Sequence, residues 1–584
     1  MSYSAPVSEI LHTLEEVAGL AEARTAGAVG ELAREDAAAI LTEAGRFADE
    51  RMAPLNAVGD HHHSRLEGHN VVTPPGWREV YDAWIEGGWS TLTGETEFGG
   101  QGLPMALQIA LSDIWNQACA GFALNPLLTV GAVEALQAHG SQDLKATYLP
   151  AMIDGRWTGT MNLTEPHAGS DLGDLKTRAE PQDDGTYRVF GQKIYITYGE
   201  HDLTENIIHL VLARIPGAPE GTRGISLFLV PKILVQADGS LGRENDLLCV
   251  GVEKKLGVHA SPTCTMLFGA AGEGAMGYLV GEPHRGLSAM FTMMNNARVQ
   301  VGVQGAVVGE RAFQQALSYA QERRQGRNGS GSPMVPIVEH PDVKRMLLSM
   351  KAMTQAARAI CYACAVAIDR GRTDPFFKAR ADLLTPLAKS FSTDVGVEVA
   401  SLGIQVHGGM GYIEETGAAQ HMRDARIFPI YEGTNGIQAI DLLRRKITRD
   451  DGAVLDAYLD ELSGIAEAAR GANALGLALA AKTLDEAIAA VRSAAADLRA
   501  ELLRSPEKAL AGASPFLRAL ATTAGGAYLA KSALASDGQP AEGRAMLARY
   551  FASTFLRSVP AMASSATDGM ADEVVAANAL SFCS

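Results

Sequence analysis

Cysteine is scarce in this chain: 6 occur among 584 residues. A disulfide scaffold needs a far higher density, so that class is excluded. An excess of basic residues is also missing. Asp and Glu number 67 against 50 Lys and Arg, for a net charge of −17. Nucleic-acid binding through a broad basic face is therefore not expected. No uninterrupted apolar run reaches the ~18 residues of a membrane span, so none is expected. The first residues carry Glu9, Glu15 and Glu16 and lack a basic start before a long apolar core. Neither a secretory nor a mitochondrial leader is expected from them. No Gly-x-Gly-x-x-Gly lies between a strand and a helix, which argues against a nicotinamide dinucleotide on a Rossmann turn.

The residues present describe a folded globular chain, 47% hydrophobic and 20% charged. Its length suggests about four domains at roughly 150 residues each. Residues 1–157 read mostly as helix, broken by Pro74-Pro75 and the Gly-rich Phe98-Gly-Gly-Gln-Gly102. Between 158 and 282 short β-rich runs alternate with turns, beginning at Tyr187, Lys193, Ile207 and Ile225. That spacing suits a small antiparallel sheet domain. Helices resume over 283–450. In Pro341–Ile368 the residues Val343, Met346, Leu347, Met350, Met353, Ala357, Ile360, Cys361 and Cys364 mark one face. A loop is expected over Gln325–Pro341. A further helical extension fills 451–584, with helices such as Thr483–Leu503 and Pro515–Leu534. Helices, then sheet, then helices do not make a doubly wound fold.

Two clusters invite a metal or redox reading and lack the partners for one. Cys361 and Cys364 have CxxC spacing inside a helical pattern, without a second ligand pair, and are read as small apolar core residues. His61-His-His63 has no spaced partner and is read as a solvated loop. No metal is expected.

Four motifs concentrate the chemistry: Met161-Asn-Leu-Thr-Glu-Pro-His-Ala-Gly-Ser-Asp171, Gly191-Gln-Lys-Ile-Tyr-Ile-Thr197, Gln405-Val-His-Gly-Gly-Met-Gly-Tyr412, and Arg423-Asp-Ala-Arg-Ile-Phe-Pro-Ile-Tyr-Glu-Gly-Thr-Asn-Gly-Ile-Gln438. In this order and spacing they resemble the acyl-CoA dehydrogenase family, over about Gly99 to Lys446. The resemblance implies a mainly α protein: an N-terminal helical domain, a β-barrel-like middle domain and a C-terminal four-helix bundle, here with the helical extension. It implies FAD as cofactor and oxidation of an acyl-CoA to the trans-2-enoyl-CoA. It also implies a homodimer, and an electron-transfer flavoprotein as acceptor.

The chemistry agrees with that resemblance. An α-proton beside a thioester is a far weaker acid than a carboxyl of pKa roughly 4.3. A carboxylate removes it only when burial makes the base stronger and donors hold the developing enolate. The family places its base at Glu432, with flavin N5 taking the β-hydride and the base's own backbone N–H aiding the thioester. Gly433 leaves the backbone free to approach a ligand closely. The resemblance assigns Leu163, Thr164, Tyr195 and Thr197 to the flavin ring, the last two on one side of a strand. The family more often has Trp at the position of Tyr195. Ser170 matches a contact to flavin pyrophosphate or to the CoA arm.

Arg323 matches an arginine reaching the pyrophosphate of the neighbouring subunit, though the usual Phe-Gly after it is absent. Gln405, Gly408 and Gly409 resemble the loop near that subunit's adenosine diphosphate. Thr434 and Asn435 look like further FAD contacts. Arg298 matches a helix arginine near the CoA site, equally suited to a domain ion pair. His259 stands where the family usually has Arg. Met290, Met293 and Met294 are read as core rather than acyl pocket.

The early Pro75-Gly-Trp77 segment and the extension resemble a longer bacterial subgroup. That subgroup includes oxidisers of 3-methylmercaptopropionyl-CoA in dimethylsulfoniopropionate breakdown and also fatty acyl-CoA dehydrogenases. The sulfur substrate is favoured, with β-oxidation of fatty acyl-CoA as runner-up and a bacterial cytoplasmic location. An acyl-CoA oxidase using oxygen and a non-catalytic scaffold are the readings from other classes.

Overall fold

The computed structural model describes residues 3–327, 329, 332–472, 476–568, 574, 575 and 577. Cys583 lies outside the described residues. The chain forms two compact units. One comprises Met1–Arg46, Met105–Gln117 and Arg298–Ser584; the other comprises Phe47–Pro104 and Ala118–Ala297. The architecture is the expected one, mainly helical with a central sheet. The helix Met105–His139 carries the chain across the unit boundary and leaves helical geometry at Cys119 (φ −157°, ψ 92°). Its length and mean composition would suffice to cross a membrane, although, as expected, no uninterrupted apolar run in it does. Single polar residues such as Ser112 and Asn116 interrupt a run without lowering the mean much. Of its most apolar stretch, 89% is buried inside the protein.

The second unit is built on an eight-stranded sheet. Its strand order is Leu247–Val252, Thr263–Phe268, Tyr187–Thr197, Ala275–Val280, Ile225–Pro231, Asn206–Arg214, Trp157–Asn162, with Arg178–Pro181 pairing beside Tyr187–Thr197 and Asn206–Arg214. The two expected runs from Tyr187 and Lys193 are thus one strand. The sheet is mixed rather than purely antiparallel, because Trp157–Asn162 runs parallel to Asn206–Arg214. The long connection between those two strands is what a parallel pair requires. Val189, Ile196, Val211, Phe228, Val230, Met266 and Phe268 form its buried core. A hairpin of Arg65–Glu67 and Asn70–Val72 was not legible as strand. His61 and His62 end the helix Ala53–His62 rather than lying in a loop. The His63 ring lies 4.2 Å from that of His259, which pairs with Asp60 at 2.9 Å. Met290 and Met293 are fully buried, as core packing requires.

The first unit is helical. Asp374 accepts from the Phe376 N–H at 2.9 Å, and Pro375 follows it, so the helix Pro375–His407 starts sharply. The helix Pro341–Arg370 buries the expected face from Met346 to Cys364. Cys361 and Cys364 are core thiols, pushed up to about 12 by burial. Arg358 is fully buried and donates to Asp113 at 2.7 Å and Glu310 at 3.2 Å. Tyr362 adds a 2.8 Å bond to Asp113, and Lys351 pairs with Glu310 at 3.2 Å. The extension helices Ala478–Arg504 and Ala513–Leu534 belong to the same unit. Arg518 pairs with Glu398 at 3.0 Å, and Lys531 donates to the Val17 carbonyl at 2.9 Å.

Candidate active site

Glu432 sits in a turn that few residues adopt. Its φ is +56° and that of Gly433 is +88°. A non-glycine residue in the left-handed region costs of order 1 kcal/mol or more and is held there by its surroundings. A Cβ at Gly433 would come within 2.6 Å of Gln438 Nε2, so only glycine fits.

Both flanks of the turn are anchored. On one side, Tyr431 stacks on Phe428 (ring centroids 6.0 Å apart) and donates its hydroxyl to Gln304 Oε1. Gln304 donates to Asn116 at 2.9 Å, Asn116 to Ser112 Oγ at 3.1 Å, and Ser112 to Gln300 at 2.7 Å. On the other side, the Thr434 hydroxyl accepts from the Ile437 N–H at 3.3 Å and caps the helix Asn435–Asp441. The Asn435 N–H donates to the Pro429 carbonyl at 3.0 Å. The Asn435 side chain donates to Asp394 at 2.8 Å and to the Ser390 carbonyl at 3.1 Å. It accepts from Lys389 Nζ at 3.0 Å.

Among the described residues, the Glu432 carboxylate has no hydrogen-bond or ion-pair partner. Burial pushes it up to about 7, against the pull of Arg298 and Lys389. Burial pulls Lys389 down to about 7 in turn, against Glu432 and Asp394. Arg298 is buried and faces Asp441, Glu432 and Arg445. The arrangement is a carboxylate tuned to exchange a proton near neutral pH, with cations close by and none bonded to it.

The residues expected at the flavin ring lie in the other unit, around one loop. Lys193, fully buried, donates to the Leu163 carbonyl at 2.9 Å and to Glu165 at 2.8 Å. The Ile194 N–H takes the Thr164 carbonyl at 2.9 Å. Glu165 also accepts from Lys176 N–H (2.7 Å), Thr177 N–H (3.0 Å) and the Thr177 hydroxyl (2.6 Å). With both carbonyls tied inward, the half-buried Thr164 hydroxyl has no protein partner among the described residues.

Tyr195 and Thr197 flank the buried Ile196, as alternation predicts. Tyr195 itself occupies a bulge, with φ +61° and a register shift opposite it. The bulge leaves its ring 59% exposed. Ser170 is exposed. An uncovered aromatic face beside an unpartnered hydroxyl fits a flat polar ring such as isoalloxazine.

Gln405, Gly408, Gly409 and Arg323 are exposed in the first unit. A Cβ at Gly408 or Gly409 would meet nothing within 4 Å, leaving room for a ligand. The described structure thus brings Glu432, Gly433, Thr434, Asn435 and Arg298 together, and separately Leu163, Thr164 and Tyr195. The Asn435 side chain is fully engaged within the protein. Lys389, Tyr431 and Gln438 were missed from sequence. Gln438 is buried, and neither polar atom of its amide has a partner among the described residues. The signal for Lys389 was a lysine among the core positions Leu384, Leu387, Ala388 and Phe391.

Comparison with known proteins places this geometry. Models of the acyl-CoA dehydrogenase N-terminal, middle and C-terminal domains match residues 34–156, 160–270 and 284–447. A model described as acetyl-CoA dehydrogenase C-terminal like matches 458–577, the extension. The chain is 48% identical over 553 residues to 3-methylmercaptopropionyl-CoA dehydrogenase of Ruegeria pomeroyi, covering 93% of each. It is 33% identical over 511 residues to the broad-specificity linear acyl-CoA dehydrogenase FadE5 of Mycobacterium tuberculosis, covering 83% of this chain and 82% of that one. An acyl-CoA dehydrogenase from Bacillus anthracis, solved in complex with FAD, shares the fold at TM-score 0.74 and 21% identity, over 94% and 91% of the two chains. The protein belongs to the acyl-CoA dehydrogenase family. It is an oxidoreductase that acts on acyl-CoA.

Proposed function

We propose that Glu432 removes the α-proton of an acyl-CoA thioester, and that the preferred acyl group is 3-methylmercaptopropionyl. The observation that carries the first part is the unpartnered Glu432 carboxylate, raised to about 7 and flanked by Arg298 and Lys389. Its pKa puts a substantial fraction of the base in the right protonation state at neutral pH. FAD, when bound, supplies the acceptor for the β-hydride. Leu163, Thr164, Ser170, Tyr195 and Thr197 are proposed as contacts to it, as are Thr434 and Asn435, and Arg323, Gln405, Gly408 and Gly409 as contacts to the FAD of a neighbouring subunit. Ser170, Arg298 and Gly433 serve the substrate.

The 48% identity to the Ruegeria enzyme supports the sulfur substrate, and a role in dimethylsulfoniopropionate breakdown is proposed with it. The FadE5 likeness supports a second reading, fatty acyl-CoA oxidation. A thioether and a methylene chain of equal length differ little in shape, so preference rather than exclusion is expected. Homodimer formation is supported by exposed Met410, Tyr412 and Ile413 beside Gly408 and Gly409. An electron-transfer flavoprotein is the proposed acceptor. Five buried free thiols suit a bacterial cytoplasm.

The test is anaerobic bleaching of the flavin by 3-methylmercaptopropionyl-, butyryl-, octanoyl- and palmitoyl-CoA. Fastest bleaching by the sulfur substrate is expected. Fastest bleaching by octanoyl- or palmitoyl-CoA establishes the fatty acyl reading instead.

A further inference from the structure

We propose that Lys389 is a positioning residue for Glu432: bonded to Asn435, it fixes the turn and sets a cation behind the base without pairing with it. The inference rests on the reading of Glu432 as base. The geometry is a short relay. Lys389 is fully buried in the helix Pro375–His407, and its Nζ bonds Asn435 Oδ1 at 3.0 Å. Asn435 lies three residues past Glu432 and ties back to Pro429 through its N–H. Its amide meets Thr393 and Asp394 from the same helix. A neutral amide therefore stands where a carboxylate would have captured the ammonium. The cation stays within electrostatic reach of Glu432, whose own lone pairs remain free for a proton.

The charged groups around this relay come from several elements. Arg298 faces Glu432 from the helix Gly286–Glu322. Asp441 and Arg445 face Arg298. Asp394 faces Lys389 and is itself faced by Glu398 and by Arg518 of the extension. Removing the Lys389 charge takes away one of the two cations, Lys389 and Arg298, that oppose the burial of Glu432 among the described residues. The base then ionises at higher pH.

The experiment uses the FAD-loaded protein and follows carboxyl protonation by infrared titration. The difference between wild type and Glu432→Gln isolates Glu432. The same difference is then taken in Lys389→Met and Lys389→Arg backgrounds, beside the pH profile of anaerobic flavin reduction. Lys389→Met is expected to move both the titration and the acid limb upward by about one pH unit. Lys389→Arg is expected to leave them at or below the wild-type position. An unmoved titration in Lys389→Met overturns the proposal. Where Lys389→Met does not fold, Lys389→Gln replaces it. Failure of both neutral variants to fold, with Lys389→Arg stable, assigns the lysine to structure alone and also overturns it. If Glu432→Gln reduces flavin at the wild-type rate, the reading of the base fails instead, whatever Lys389 does.

Discussion

Lys193 and Lys389 are both buried against acidic residues, one in each unit, and the protein treats them in opposite ways. Lys193 bonds Glu165 directly at 2.8 Å. Burial alone would raise Glu165, but the lysine and the Thr177 and Lys176 donors outweigh it and hold the carboxylate below its ordinary value. Lys389 meets an amide instead, and Glu432 keeps a pKa near 7. The first acid is fully satisfied and has no proton chemistry left at neutral pH. The second is deliberately under-satisfied, and its strained backbone marks the same place. A buried carboxylate thus becomes a base or a latch according to whether its cation is allowed to touch it.

The comparison can be broken most severely at the closed pair. Lys193→Met leaves Glu165 buried without its counter-ion and is expected to cost about 3–5 kcal/mol, read as a lower urea midpoint. The Leu163 carbonyl also loses its donor, so weaker FAD retention is expected in the same variant. Wild-type stability and flavin content would show that Glu165 does not depend on the pair. A smaller effect is expected at the open site. Tyr431→Phe removes the bond to Gln304 at the head of the relay toward Ser112 and Gln300. About 1 kcal/mol of stability and a several-fold loss in flavin-reduction rate are expected, with the acid limb of the pH profile unmoved. A shifted limb would mean that Tyr431 tunes the base rather than orients it.

Much of this was legible in the sequence. The helical faces and the β-rich middle follow from residue type and spacing, because they depend on neighbours close along the chain, whereas Glu432 stood out only through the resemblance of its motif to the family. The CxxC thiols were likewise correctly read as core from their helical context. What escaped depends on distant partners. The lysine of Lys389 opposes a turn 43 residues later, and nothing local says that Asn435 lies between them. Tyr195 falls in a bulge because the facing strand has one residue fewer at that point, which alternation within one strand cannot reveal. The N-terminal 46 residues join the C-terminal helices in one unit through contacts such as Lys531 with Val17, a pairing no local pattern encodes.

The most direct test of the account is the rate of anaerobic flavin reduction across pH, in wild type and in Glu432→Gln. A base with a pKa near 7 must be ionised to act, so the wild-type rate should fall tenfold per unit below about pH 7. Glu432→Gln should retain FAD and be slower by at least about 100-fold at every pH. A variant that holds FAD and is reduced at near the wild-type rate would contradict the assignment of Glu432.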